Sequence, residues 1–276
     1  MARMSNSWAM LKASATVLRL DTELLIFPLL STLAVILITV SLVALIMFFG
    51  GPEALDDPGY LVYSGGFVFY LILYTVTFFF NAGLVGATLI RLDGGDPTVG
   101  DGMNIATKKL PTILGYAVIA ATVGMVLRAI EERVGALGRI VVGLIGMSWS
   151  LTTYLTVPVL VSKDVGAFDA VKKSASLFRR TWGEQVVGNA GIGLATFLLF
   201  ALMTAVGVPL VILVSSINEA FAIPMWITLG VGYFFLALLS AALQGIYSAA
   251  LYRFATTGDA GEHFNAAMMD QAFRPK

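Results

Sequence analysis

The side chains best suited to chemistry inside a membrane are neutral polar residues within long apolar runs, namely Asn81, Thr152, Thr153 and Gln244. Asn81, Thr153 and Gln244 each stand nine or ten residues before the lysine or arginine that ends the run. In an α-helix this separation is about 15 Å, which is near the centre of a bilayer. The spacing therefore predicts polar groups at one depth on three helices.

Amides and hydroxyls donate and accept hydrogen bonds but carry no charge. They fit two hypotheses, which the sequence leaves open. In one, the four residues join helices by hydrogen bonds. In the other, they line a polar constriction for water, a small neutral solute or a lipid headgroup. The apolar runs carry no acidic, basic or histidine residue near their centres, which disfavours an ion-driven transporter.

Motifs of known enzymes and metal sites are absent from the sequence. There is no cysteine, and the single histidine, His263, stands near the C-terminal end. The glycines between residues 94 and 102 follow an apolar run and lack the lysine and hydroxyl of a phosphate-binding loop. We therefore expect no enzyme, metal or cofactor. A lipid-modifying enzyme would need paired carboxylates at the membrane surface, such as Asp93 with Asp164.

Composition places these residues in an integral membrane protein. Hydrophobic residues make up 58% of the 276 and charged residues only 12%, and the mean hydropathy is +0.88. Soluble domains carry about 25% charged residues. Six runs are long and apolar enough to span a bilayer, and they cover residues 23–49, 60–91, 111–129, 139–162, 184–215 and 224–253. The predicted fold is all-α, with six transmembrane helices as three hairpins.

Short amphipathic helices precede the hairpins. In residues 166–182 the large apolar side chains, among them Phe168, Val171 and Phe178, recur at helical spacing, with basic residues largely off that stripe. Residues 4–20 repeat the spacing and share Lys12, Ser14, Ala15 and Arg19 by identity with Lys172, Ser174, Ala175 and Arg179. A weaker copy begins at Met103. Such helices are typical of the membrane surface.

The repeated pattern predicts one integral membrane domain over residues 1–276, made of three repeats at about 4–97, 98–165 and 166–258. A last amphipathic helix is expected at about 261–273, with Phe264 on its apolar face. Of the 17 lysines and arginines, 14 lie on the side that holds both termini, so the positive-inside rule predicts cytoplasmic termini.

The segment from Asn6 to Ser31, NSWAMLKASATVLRLDTELLIFPLLS, resembles the signature of a prokaryotic family of six-span integral membrane proteins of unknown function. The residues that carry the resemblance include Trp8, Lys12, Asp21, Glu23 and Pro28. The resemblance implies a bacterial or archaeal inner membrane and six helices, and it implies no activity.

Our leading functional hypothesis is a non-enzymatic protein that organises the bilayer or scaffolds a membrane assembly, as a homo-oligomer that binds anionic lipid. A cytoplasmic protein partner is compatible with this function, and nucleic acid is not expected. The residues predicted to bind lipid headgroups are Lys12, Arg19, Lys108, Lys109, Lys172, Lys173, Arg179 and Arg180. The alternative is a passive channel or facilitator for water, ions or a small solute, lined by Asn81, Thr152, Thr153 and Gln244.

Overall fold

A computed structural model describes residues 2–50, 60–182, 191–261 and 264. These residues are helical throughout, apart from short connections, and contain no strand. Ten α-helices occur in the described part: α1 (Ala2–Leu20), α2 (Ile26–Gly50), α3 (Tyr60–Leu92), α4 (Val99–Lys108), α5 (Leu110–Glu131), α6 (Ala136–Thr153), α7 (Thr156–Ser162), α8 (Ala167–Trp182), α9 (Gly191–Ile217) and α10 (Ala222–Thr257).

Six helical segments are long and apolar enough to cross a membrane, as the sequence predicted. They are Thr22–Phe49, Gly65–Leu92, Leu110–Glu131, Ala136–Ser162, Thr196–Ile217 and Glu219–Thr257. The fourth segment is made of α6 and α7, which are separated at Tyr154 and Leu155. The sequence analysis did not anticipate this break. The all-α fold with six long apolar helical segments is confirmed.

The bundle is built around α3, which contacts α2, α4, α5, α7 and α10. Seven consecutive residues of α3, from Ala82 to Thr88, are buried. A helix that is buried on every side for two turns is surrounded by other helices. Four of the seven residues are alanine or glycine: Ala82, Gly83, Gly86 and Ala87. Small residues let helix backbones approach closely, which is how helices associate in lipid.

Phe27 of α2 lies in the contact between α3 and α4, and its side chain is 1% exposed. A Cβ atom built on Gly102 of α4 would lie 2.4 Å from the Phe27 ring and 2.6 Å from the carbonyl oxygen of Gly83. A Cβ atom on Gly83 would lie 2.7 Å from the same ring. Three helices therefore meet at one point, and two glycines make room for one aromatic ring.

The short helices α1, α4 and α8 each pack one face against the bundle. Helix α4 lies on α3, α8 lies on α5, α6 and α7, and α1 lies on α9 and α10. On α8 the buried residues are Ala170, Val171 and Ser174, whereas Phe168 is 62% exposed. The apolar stripe that was predicted to face lipid therefore does so only in part. Val171 packs against protein, whereas the Phe168 side chain points outward.

The helix predicted at 261–273 lies almost wholly outside the described residues, as does His263. Within it, Gly261 adopts a φ of +91° beside the backbone of Leu92. Phe264 is 5% exposed and belongs to the protein core. The expectation that Phe264 lies on the membrane is therefore wrong, because its ring packs inside the bundle.

The contact of α2, α3 and α4 gives a first prediction. Gly102→Ala places a methyl group against the Phe27 ring and a backbone carbonyl, and we expect it to destabilise the folded protein by about 1–3 kcal/mol. Gly100→Ala is the matched control, since its Cβ atom would meet only the Thr98 hydroxyl at 3.5 Å. The thermal unfolding midpoints of both variants in detergent micelles measure the difference. Equal midpoints would contradict the close approach.

Candidate intramembrane cavity and basic end

A cavity of about 280 Å³ lies within the spans, between α2, α3, α10 and the turn that joins α6 to α7. Its walls combine apolar residues with six residues that carry polar side chains: Ser31, Thr77, Asn81, Tyr154, Gln244 and Ser248. Asn81 and Gln244 were predicted from their depth alone, and the structure places both at this cavity. The volume is just below the range of about 300–1,000 Å³ typical of small-molecule sites.

The side-chain amides of Asn81 and Gln244 are not joined to other helices. In the described part of the chain, no hydrogen bond involves either side-chain amide; the backbone carbonyl of Gln244 accepts a 3.5 Å contact from the Tyr154 hydroxyl. Asn81 is half-buried, and Gln244 is exposed to the cavity and its mouth. Among the described residues there is therefore no interhelical hydrogen bond from either side-chain amide, as the first hypothesis would require.

The cavity is closed toward the end of the bundle where α3 and α10 finish. Phe27, Leu84 and Ser248 line that side, and each is at most 7% exposed. Thr77 and Ala241 line the side nearer the starts of α3 and α10, and both are exposed. The cavity thus has a packed floor toward the basic end and opens away from it, on the side of Thr77 and Ala241.

Thr152 and Thr153 do not line this cavity, in contrast to the prediction. The Thr153 hydroxyl donates to the carbonyl oxygen of Trp149 in its own helix, at 2.8 Å, and the side chain is buried. The residue that reaches the cavity from this span is Tyr154. Neighbouring positions on a helix differ by 100° in direction, so residues at nearly the same depth can face different sides of the helix.

Tyr154 is presented by the break between α6 and α7. Pro158 has no N–H to donate to the carbonyl of Tyr154, four residues earlier, and its ring crowds that carbonyl, which interrupts the helix at this point. The helical pattern resumes with the N–H of Val159 bonded to the carbonyl of Leu155 at 3.0 Å. Pro158 is the sequence signal from which this turn was predictable.

Ser174 of α8 satisfies the backbone groups that the break exposes. Its hydroxyl donates to the carbonyl oxygen of Thr152 at 2.7 Å and accepts the N–H of Leu155 at 3.1 Å. Ser14 of α1 is the matching residue of the first predicted repeat and is equally buried, at 0% exposure. No hydrogen-bond partner of the Ser14 hydroxyl is found among the described residues.

The basic end of the bundle, where α3 and α10 finish, is held by ion pairs. Arg91 donates from Nε to Asp21 at 2.7 Å, and these side chains are 19% and 8% exposed. Arg91 also pairs with Asp96. Asp21 stands at the N-cap position before Thr22 but makes no side-chain cap bond, and its carboxylate serves this pair instead. The pair links the start of the first span to the end of the second.

Two further cations at the basic end hold the carboxylates that an enzyme hypothesis would need. Asp93 pairs with Arg253, which also binds Asp259 at 3.0 Å. Asp164 lies 3.4 Å from Lys109, whose ammonium group also donates to the carbonyl oxygen of Lys163 at 2.9 Å. Asp93 and Asp164 thus each face a cation. Within the described residues no group of three acidic, histidine or cysteine side chains is placed to hold a metal ion.

Hydrogen bonds keep two carboxylates of the surface segments ionised. The backbone N–H of Gly261 and the guanidinium of Arg253 hold the pKa of Asp259 below its usual range. The hydroxyl and backbone N–H of Thr98 lower the pKa of Asp101, which begins α4 as part of a capping box. Both groups carry negative charge at neutral pH.

The residues predicted to bind lipid headgroups differ in how exposed their side chains are. Lys12, Arg19, Lys108, Lys172 and Lys173 are exposed at the basic end. Lys172 lies over the Phe168 ring, with its ammonium 4.7 Å from the ring centre. Lys109 is half-buried in the contacts with Lys163 and Asp164. The side chains of Arg179 and Arg180 lie outside the described set.

The six spans, the internal packing and the intramembrane cavity define a multi-pass α-helical membrane protein. A family model described as a family of unknown function (DUF6159) matches residues 59–264, which is well over half of the chain. The chain belongs to this family, and the resemblance to a six-span family of unknown function is confirmed. The matched residues begin after the segment from Asn6 to Ser31. Neither the curated proteins nor the solved structures gave a match to the chain.

The two buried serines give the second prediction. Ser174→Ala removes the hydroxyl that bonds both the carbonyl of Thr152 and the N–H of Leu155 at the break. We expect this change to lower the free energy of unfolding by about 1–3 kcal/mol. Ser14→Ala removes a hydroxyl that has no hydrogen-bond partner among the described residues, so we expect it to be neutral or stabilising. Thermal unfolding of both variants in micelles gives the comparison. A larger loss for Ser14→Ala than for Ser174→Ala would contradict the assignment of the Ser174 bonds.

Proposed function

We propose that this chain is a non-enzymatic membrane protein that organises the bilayer or scaffolds a membrane assembly by binding anionic lipid headgroups at its basic end. The observation that carries the proposal is the two-sided character of α1, α4 and α8. Each buries one face in the bundle and exposes lysine or arginine on another. Because the buried faces fix these helices, their charges are held at defined positions on one side of the protein.

Charge asymmetry supports this orientation. By the sequence assignment, 14 of the 17 lysines and arginines fall on the side predicted to hold both termini, which favours placement of that side in the cytoplasm of a prokaryotic cell. Anionic lipid attracts each well-placed basic residue by about 1 kcal/mol. Five exposed cations on three fixed helices therefore give a cooperative binding surface. We further propose that the chain acts as a homo-oligomer, which would multiply this surface.

The packing of the short helices supports the proposed threefold repeat. Helix α4 lies on α3 of the first hairpin, α8 lies on α5, α6 and α7 of the second, and α1 lies on α9 and α10 of the third. Each of α4 and α8 thus packs against the hairpin that precedes it in the chain. Helix α1, at the start of the chain, packs against the third hairpin, so the three units follow one another in a ring. A scaffold built from three such units presents its basic helices around one end of the bundle.

The third prediction tests lipid binding by native mass spectrometry of the protein released from nanodiscs that contain phosphatidylglycerol. We expect a defined oligomer that retains anionic lipid, and we expect Lys172→Gln with Lys173→Gln to reduce the retained lipid severalfold, since two exposed cations are lost. Arg133→Gln with Arg139→Gln removes the same charge from the opposite end and is the control.

A monomer without bound lipid would contradict the scaffold proposal. Equal loss of lipid in both double variants would show that retention follows net charge rather than the fixed basic helices.

A second candidate function is a passive route for water, ions or a small solute. The specific observation in its favour is the cavity that brings Asn81 and Gln244 together inside the spans. Its closed floor means that conduction would require Phe27 or Leu84 to move.

The fourth prediction concerns this route. If it operates, proteoliposomes are expected to show faster osmotic water or glycerol flux than protein-free liposomes, and Asn81→Leu is expected to remove the difference. Thr228→Val, which changes an exposed polar residue of α10 away from the cavity, serves as the control. Flux equal to that of protein-free liposomes would exclude a passive route for these two molecules.

A further inference from the structure

Two side-chain amides without hydrogen-bond partners are costly in the interior of a membrane. No water competes there, and a polar group without a partner costs several kcal/mol. Asn81 and Gln244 both line the cavity, and no bond to either amide is present in the described part of the chain. Such groups are satisfied when a bound molecule supplies both a donor and an acceptor.

The hydroxyls around the cavity differ from these amides in their bonding. The Ser248 hydroxyl donates to the carbonyl oxygen of Gly245 at 2.8 Å, and the Tyr154 hydroxyl lies 3.5 Å from the carbonyl oxygen of Gln244. A hydroxyl that donates keeps lone pairs that accept. The cavity therefore offers amide N–H donors and several oxygen acceptors toward one small volume.

Charge restricts what this volume can hold. Among the described residues, no acidic or basic side chain lines the cavity. The arginines at the basic end of the same helices, Arg91 and Arg253, are paired with carboxylates. A phosphate or ammonium group in the cavity would lack a counter-charge and would lose its hydration, which is prohibitive in a low-dielectric interior. The fitting ligand group is uncharged.

The remaining walls fit hydrocarbon. Phe27, Phe80 and Leu84 line the cavity, and its mouth at Thr77 and Ala241 opens away from the basic end. The approach of α10 to α3 that shapes it depends on Gly245, where a Cβ atom would lie 2.3 Å from the Leu84 side chain. The floor is therefore formed where Gly245 leaves room for the Leu84 side chain.

We propose that this cavity is a binding site for an uncharged group bearing several hydroxyls, of the glycerol type, with Asn81 and Gln244 as its hydrogen-bonding residues. The ligand is either a neutral lipid that enters from the bilayer with its acyl chain in the mouth or a free polyol. The site is distinct from the surface proposed for anionic lipid, and it is a pocket with a floor rather than a passage.

The fifth prediction uses the full-length protein in phosphatidylcholine nanodiscs with two labelled probes, monooctanoylglycerol and free glycerol. We expect saturable binding of at least one probe. Asn81→Leu and Gln244→Leu are each expected to weaken it by about tenfold, as loss of one well-made hydrogen bond implies. Thr228→Val on α10 is the control and is expected to bind as the unmodified protein does.

A further variant, Ala241→Phe, tests the site without altering a polar group. Ala241 is exposed at the mouth, so a larger side chain there blocks entry without crowding the core. Binding of monooctanoylglycerol alone identifies a lipid source, and binding of free glycerol identifies a polyol source. The proposal is overturned if neither probe binds saturably, or if binding is the same in Asn81→Leu, Gln244→Leu and Ala241→Phe as in the control. Unfolding midpoints of the variants establish that they are folded.

Discussion

Close backbone approach around residues 82–88 of α3 is the constraint on which the rest of the bundle depends. In lipid the helices gain no hydrophobic free energy by leaving the solvent, so they associate through van der Waals contact and polar bonds. Gly83 and Gly102 permit that contact by admitting the Phe27 ring between their helices. Gly245 does the same for α10 against Leu84. Four helices are thereby held at short distances, and the cavity is the space that remains where the approach of α10 stops.

Polar residues in this bundle fall into two kinds, according to whether their own helix can satisfy them. Thr88 and Thr153 donate to carbonyl oxygens four residues earlier, at 2.8 Å, and so need no other partner. Asn81 and Gln244 have longer amide groups with donors and acceptors that this bond does not satisfy. This difference explains why Thr88 and Thr153 are absorbed by the packing while the two amides face a cavity. It also separates Thr153 from Asn81 and Gln244, which the sequence had grouped by depth.

Hydropathy predicted the six spans because a bilayer imposes a length and a composition on every crossing helix. It predicted neither the turn at Tyr154 nor the buried face of α8. The turn could have been predicted from Pro158, because proline has no N–H to donate to the carbonyl oxygen four residues earlier. The burial of one face of α8 against protein could not be predicted, because an amphipathic sequence pattern is the same whether the apolar face contacts lipid or a neighbouring helix. The contacts of α8 with α5 and α6 decide between them, and those contacts are long-range. The bonding of Asp21 to Arg91 likewise joins residues 70 positions apart.

The proposed repeat accounts for the form of the cavity through its departures from symmetry. Three identical hairpins would bring one polar residue from each to a common axis, as the equal depths suggested. The second hairpin instead carries Pro158, so its chain turns at the matching depth and offers a tyrosine hydroxyl in place of an amide. Ser174 satisfies that turn, whereas no partner of its counterpart Ser14, which lies beside α9 and α10, is found among the described residues. If the hairpins are repeats, the break in the second one accounts for a one-sided pocket in place of a symmetric polar layer. The same break ties the pocket to α8, because the hydroxyl that holds the turn belongs to a helix that also exposes Lys172 and Lys173 at the basic end.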